Sequence, residues 1–148
     1  MKLHDLLKYD EIVIQCHDNP DADALGSGYA LFCYLKDHGK QVSLVYGGHN
    51  RIRKSNLMLM IQMLNIPIKY CDSMEAPELL VTVDCRYGEG NVFHFPARNI
   101  AVIDHHRVNG TLPELSEVRS TLGSCSTLLW EMLKQEGYDA NANVNLAT

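Results

Sequence analysis

No apolar run in this sequence approaches the roughly 20 residues a bilayer-spanning helix needs. Met1–Asp10 carries Asp5 and two lysines where a secretion signal would be apolar, so a cytoplasmic protein with no membrane association is expected. An excess of cations is missing as well. Thirteen Lys and Arg stand against 18 Asp and Glu, a formal net charge of −5, which weighs against a protein that coats duplex nucleic acid. A small anionic substrate stays allowed if metal ions supply the positive charge. There is no C-x-x-C pair, and five cysteines are an odd number. Neither a disulfide framework nor a zinc ribbon fits, and Cys16, Cys33, Cys71, Cys85 and Cys125 read as reduced, mostly buried thiols. Internal repeats, linkers and low-complexity tracts are absent too. What remains is an ordinary composition, 46% hydrophobic and 21% charged over 148 residues, enough for one domain with a core or for part of a larger protein.

Strand-like and helix-like segments alternate along the chain. Glu11–Cys16 is a β-branched run ending at the turn-forming His17-Asp18-Asn19-Pro20-Asp21. A helix is expected from Asp23, with Leu25, Leu31, Phe32 and Leu35 as its apolar stripe and Gly39 as its stop. Gln41–Tyr46, Ile66–Tyr70, Leu79–Asp84 and Asn99–Asp104 read as further strands, Ile52–Leu64 and Gly123–Glu136 as helices, and Asn143–Thr148 as the start of another. Met58, Met60 and Met63 read as core filler. Strands separated by helices predict an α/β fold, a parallel doubly wound sheet with helices on both faces. Ligands bind such sheets at the carboxyl ends of the strands.

Acidic and imidazole groups gather at those ends. The first strand leads to His17, Asp21 and Asp23, the fourth to Asp84, and the fifth to Asp104, His105 and His106. Carboxylate and imidazole donors without thiolate suit hard to borderline divalent ions such as Mn²⁺ or Mg²⁺, and Co²⁺ or Zn²⁺ less specifically; two ions are expected, Mn²⁺ preferred. Carboxylates packed together without cations would repel one another and resist ionisation. Two ions about 3.5–4 Å apart can share an aspartate and activate a hydroxide for attack on phosphorus.

The segments His17-x-x-Pro20-Asp21-x-Asp23-Ala24-x-Gly26-Ser27, Val83-Asp84 and Asp104-His105-His106 resemble the first three signature motifs of the DHH phosphoesterase family, and the resemblance runs from about Glu11 to Thr127. It implies that His17 and Asp21 hold one metal, that Asp23 and His105 hold the other, and that Asp84 bridges both. His106 would contact the scissile phosphate or assist the leaving group, with Asp104 orienting the histidines. Within the family the chain is most similar to RecJ-related oligoribonucleases that also dephosphorylate adenosine 3′,5′-bisphosphate. The implied activity is hydrolysis of short single-stranded RNA or DNA, or of nucleotide phosphates, by an enzyme that could be a homodimer. Family members continue into a fourth aspartate motif and a C-terminal substrate-binding domain. Neither is legible in residues 1–148, so an incomplete DHH domain is expected, weak or inactive in isolation.

Other readings stand beside this one. Pyrophosphatases and exopolyphosphatases share the same three motifs, and a site with one metal and no turnover would make a nucleotide-binding module. The Asp-Asn-Pro-Asp stretch is also a plausible plain turn, and Asp23 a plain helix cap. Ser27, Arg86 and Arg107 are candidates for substrate contacts. Gly28 reads as a close helix–strand contact. The loop Gly47-Gly48-His49-Asn50-Arg51, followed by Arg53 and Lys54, reads as a solvated loop and helix face, or as a holder of phosphates or a nucleotide base.

Overall fold

The computed structural model describes residues 1–138; the helix expected at Asn143–Thr148 lies outside them. After a short 3₁₀ helix at Leu3–Lys8, the order is β1 (Glu11–Gln15), α1 (Ala22–Asp37), β2 (Gln41–Tyr46), α2 (Ser55–Leu64), β3 (Ile68–Tyr70), β4 (Leu79–Val83), β5 (Ile100–Asp104), β6 (Leu115–Val118) and α3 (Cys125–Gln135). The strands form one sheet in the order β3-β2-β1-β4-β5-β6, and every pairing is parallel. Successive strands are added on one side of β1 up to β3 and on its other side from β4 onward. Such a switch point leaves a crevice at the strand carboxyl ends.

The core explains why these segments pair. β4 is buried at all five positions, as a central parallel strand must be when both of its faces are covered. On one face, Ile12, Ile14, Leu44, Val81 and Ile103 pack with Leu25, Leu31 and Leu35 of α1, Leu57 of α2 and Leu128, Leu129 and Met132 of α3. The other face, built on Val45 and Leu80, is covered by Met74, Tyr87, Phe93 and Phe95, all from irregular chain between β3 and β5. The doubly wound order is as expected. Helices on both faces are not seen among the described residues, because the crossovers after β3 and β4 contain none.

Boundaries shifted for identifiable reasons. α1 starts at Ala22 rather than Asp23, because the Asp21 carboxylate accepts the Ala24 N–H at 2.9 Å and is the N-cap. β3 begins after Pro67, which has no N–H to donate to the ladder. β6 has no counterpart in the expected strands: its four residues are all half-buried, an edge strand without an apolar run. The methionine reading is corrected in part, since Met58 is 46% and Met63 72% exposed; only Met60 packs against the core. Gly28 makes the expected close contact, for a Cβ there would lie 2.9 Å from Leu44 Cδ1 and 3.3 Å from Cys16 Sγ. That contact seats the amino end of α1 above β1, β2 and β4. No helix among the described residues is long and apolar enough to cross a membrane.

Candidate metal centre

The ends of β1, β4 and β5 bring His17, Asp84 and Asp104 to one edge of the sheet. Asp84 leaves the ladder in a left-handed conformation, φ +59°, while its N–H still donates to the Ile103 carbonyl at 3.0 Å. A buried aspartate held in this sparsely populated region is aimed by the surrounding structure. Its two oxygens face two histidines: His17 Nε2 lies 3.5 Å from Oδ2, and His105 Nε2 lies 3.1 Å from Oδ1. His17 Nε2 is also 3.7 Å from Asp21 Oδ1. Two donor groups result, His17 with Asp21 and Asp84, and Asp84 with His105 and His106, each with its ligand atoms within 4.8 Å of one another. Asp84 belongs to both.

The rings are anchored from behind. His17 Nδ1 contacts the Asp18 carbonyl at 2.8 Å, and His105 Nδ1 the Leu122 carbonyl at 3.2 Å. His106 Nδ1 sits 2.7 Å from Asp104 Oδ1. Three imidazoles thus have Nδ1 on an oxygen acceptor, which selects the Nδ1–H tautomer and leaves the Nε2 lone pair free. A neutral Nε2 pointed at a carboxylate oxygen sets acceptor against acceptor, which is unfavourable without a proton or a cation between them. In keeping with this, Asp84 Oδ1 accepts no hydrogen bond despite its 3.1 Å approach to His105. The donor set therefore fits a divalent cation of hard to borderline character.

Without metal, a proton takes the cation's place. The hydrogen bond to Asp84 lifts His17 to about 9 against the desolvation that opposes it, with the Asp18 carbonyl and the charges of Asp21 and Asp84 adding to the rise. A raised value means that protonated His17 stabilises the metal-free fold fully below its ordinary 6.5 and that this contribution is lost as pH rises through about 9. Metal uptake at about pH 7.5 should then release that proton, and apparent affinity should rise about tenfold per pH unit toward pH 9. Calorimetry in buffers of different ionisation enthalpy measures the release; a pH-independent affinity would rule out proton competition at His17.

Asp23 is used differently from its expected role as a ligand. Its carboxylate accepts the N–H groups of Cys125 at 2.9 Å and Ser126 at 2.8 Å, satisfying the first turn of α3. Burial pushes its pKa up, but these N–H groups, the Ser126 hydroxyl and nearby His105 outweigh that and hold it below 3.8. Oδ2 remains 3.7 Å from His105 Nε2, beside the centre but outside both donor groups. Asp104 is fully buried. It accepts the His105 N–H at 2.8 Å and reaches the crevice only through His106, so it is a positioning residue.

Two expected substrate contacts are corrected. Ser27 is buried, and its hydroxyl donates to the Asp23 carbonyl at 2.7 Å, which leaves nothing to offer a phosphate. Arg86 is committed to Glu89 at 3.3 Å and to the Asn109 carbonyl at 3.3 Å, with Nε 4.0 Å from Asp104 Oδ2; it braces Asp104 from behind. Arg107 lies exposed just after His106. The residue that sequence reasoning missed is Asp18, which anchors His17 through its carbonyl and accepts the Phe93 N–H at 3.0 Å through its side chain. A backbone carbonyl leaves no mark in a sequence. Cys16, Cys85 and Cys125 are buried, and burial raises their thiols, which disfavours the thiolate.

Comparison with known proteins bears on the family and the fold. The model of the DHH family, N-terminal domain, matches residues 11–148. An uncharacterized protein of Methanocaldococcus jannaschii is 26% identical over 139 residues, 93% of this chain and 28% of its own. A protein of Lactobacillus delbrueckii subsp. bulgaricus described as a probable manganese-dependent inorganic pyrophosphatase is 27% identical over 141 residues, covering 86% and 42%. The crystal structure of an exopolyphosphatase-related protein from Bacteroides fragilis superposes with a TM-score of 0.60 at 20% identity, over 92% of this chain and 44% of that one, a likeness of fold. The chain spans less than half the length of each of these three.

Proposed function

The chain belongs to the DHH family, and from that premise we propose that it carries the metal-binding centre of a phosphoester hydrolase working with two divalent cations, Mn²⁺ foremost. The observation that carries this reading is Asp84, one oxygen toward His17 and the other toward His105. His17 and Asp21 would hold one cation and His105 the other, with Asp84 between them and Asp23 alongside. Cations bound there would polarise phosphoryl oxygens and lower the pKa of an attacking water. His106 is the group that moves a proton: Asp104 holds its Nδ1, its side chain is 56% exposed, and its Nε2 is left to meet a phosphoryl or leaving-group oxygen. Asp104 keeps that ring in one tautomer and stabilises it when charged.

For the substrate we propose short oligonucleotides or nucleotide phosphates. A second reading, inorganic pyrophosphate or polyphosphate, is favoured by the descriptions of the Lactobacillus and Bacteroides relatives. Mn²⁺-dependent hydrolysis of di- to pentanucleotide RNA and adenosine 3′,5′-bisphosphate, in competition with pyrophosphate, separates the two. Turnover of the nucleotides is expected when the family's fourth motif and C-terminal domain accompany this chain. Preference for pyrophosphate establishes the second reading, and no turnover by a protein that takes up Mn²⁺ points to a nucleotide-binding module.

A further inference from the structure

Asp21 faces two ways. Its Oδ1 approaches His17 in the metal centre, and its side chain, 64% exposed, also forms one wall of a cleft of about 320 Å³, within the size range of small-ligand sites. The opposite wall carries Arg51, Arg53 and Lys54 with Asn50 and Asn56. In a chain of net charge −5, three cations within four residues beside an acidic centre are a local reversal of sign. None of the three forms an ion pair among the described residues, so their charge is not spent on the neighbouring carboxylates.

The loop that carries them is built rather than loose. The Tyr46 hydroxyl accepts the Ile52 N–H at 2.9 Å, the Tyr70 hydroxyl donates to the Gly48 carbonyl, and the Arg51 guanidinium lies 4.7 Å over the Tyr70 ring. Lys54 is the N-cap of α2 and makes no side-chain cap bond, and the first turn of α2 holds no acidic residue. The N–H groups there add to the same positive wall.

Resting on the hydrolase reading above, we propose that this cleft is a second phosphoryl subsite, which takes the phosphate or phosphodiester group next to the one held at the metal centre. The preferred substrates are then molecules with two or more linked phosphoryl groups, whether phosphodiester or anhydride, rather than simple phosphomonoesters. The acidic centre fixes the reacting group, and Arg53 and Lys54 hold its neighbour by charge-assisted hydrogen bonds.

The test is the double substitution Arg53→Ala and Lys54→Ala, two exposed positions away from the core. Arg51 is left in place because of its stacking on Tyr70. Binding of methylenebisphosphonate and of methylphosphonate to the Mn²⁺-loaded protein is measured by calorimetry, with Mn²⁺ affinity titrated separately. The bisphosphonate should bind the variant at least about tenfold more weakly, with methylphosphonate and Mn²⁺ affinities unchanged. Equal bisphosphonate affinity in both proteins would overturn the subsite, as would an equal loss for both ligands. A wild-type protein that takes up no Mn²⁺ would instead defeat the hydrolase reading, and bisphosphonate binding to the metal-free protein, weakened or not by the double substitution, still decides the cleft.

Discussion

Asp84→Asn is expected to lower Mn²⁺ affinity by at least about 100-fold, a larger loss than the 10–100-fold typical of outer-shell partners, and to abolish the Mn²⁺-dependent hydrolysis proposed above. An asparagine has one acceptor oxygen and one NH₂ donor. It can face His17 or His105 with an acceptor but not both, so a bridge between two cations is lost along with a negative charge. The fold should tolerate the change, because asparagine enters the left-handed region as readily as aspartate and Asp84 adopts φ +59°. Because Asp84 is the partner that keeps His17 protonated without metal, the metal-free protein should still fold but lose that pair's stabilisation near neutral pH. Calorimetric Mn²⁺ titration and a thermal melt check both halves. Unchanged Mn²⁺ uptake would show that Asp84 does not link the two histidines through metal.

Asp23→Ala should have the largest effect on stability. Two charge-assisted hydrogen bonds from the first turn of α3 end on this carboxylate, and their loss leaves two partly buried N–H groups without their acceptor. A cost of about 2–3 kcal/mol follows, or about 5–10 °C in melting temperature for a domain of this size. Measuring it on the metal-free protein isolates the structural role from any contribution to metal binding. The pH dependence has a fixed sign: with its pKa held below 3.8, Asp23 contributes stability fully above 3.8, and that contribution fades as pH falls through the lower folded value. A metal-free melt that does not move would contradict the capping role.

Local sequence showed the parts of the fold that local forces set. β1, β2, β4 and β5 are apolar runs that end at a turn or at an aspartate, and each appears within a residue of its expected bounds. β6 was invisible because Leu115–Val118 is half polar and gains its strand character only from pairing with β5. The site shows the same division. The acidic and imidazole side chains could be named because their types and order carry the chemistry, whereas the carbonyls of Asp18 and Leu122 that orient His17 and His105 come from backbone, which has no sequence signature. Ser27 and Arg86 were misread for a related cause. Each has the right chemistry for phosphate, but hydrogen bonds to the Asp23 carbonyl one turn back, to Glu89 three residues on and to the distant Asn109 carbonyl had already claimed it. The use of Asp23 turned on long-range packing: only the approach of α3 to α1 gives it the N–H groups of Cys125 and Ser126 to accept.

Mn²⁺ titration followed by electron paramagnetic resonance tests the central claim most directly, because free Mn²⁺ gives a sharp six-line signal that is lost on binding. The account predicts stoichiometric loss of that signal on titration into wild-type protein, and its persistence in Asp84→Asn. A folded wild-type protein that leaves the free-ion signal intact would contradict a metal centre built on Asp84.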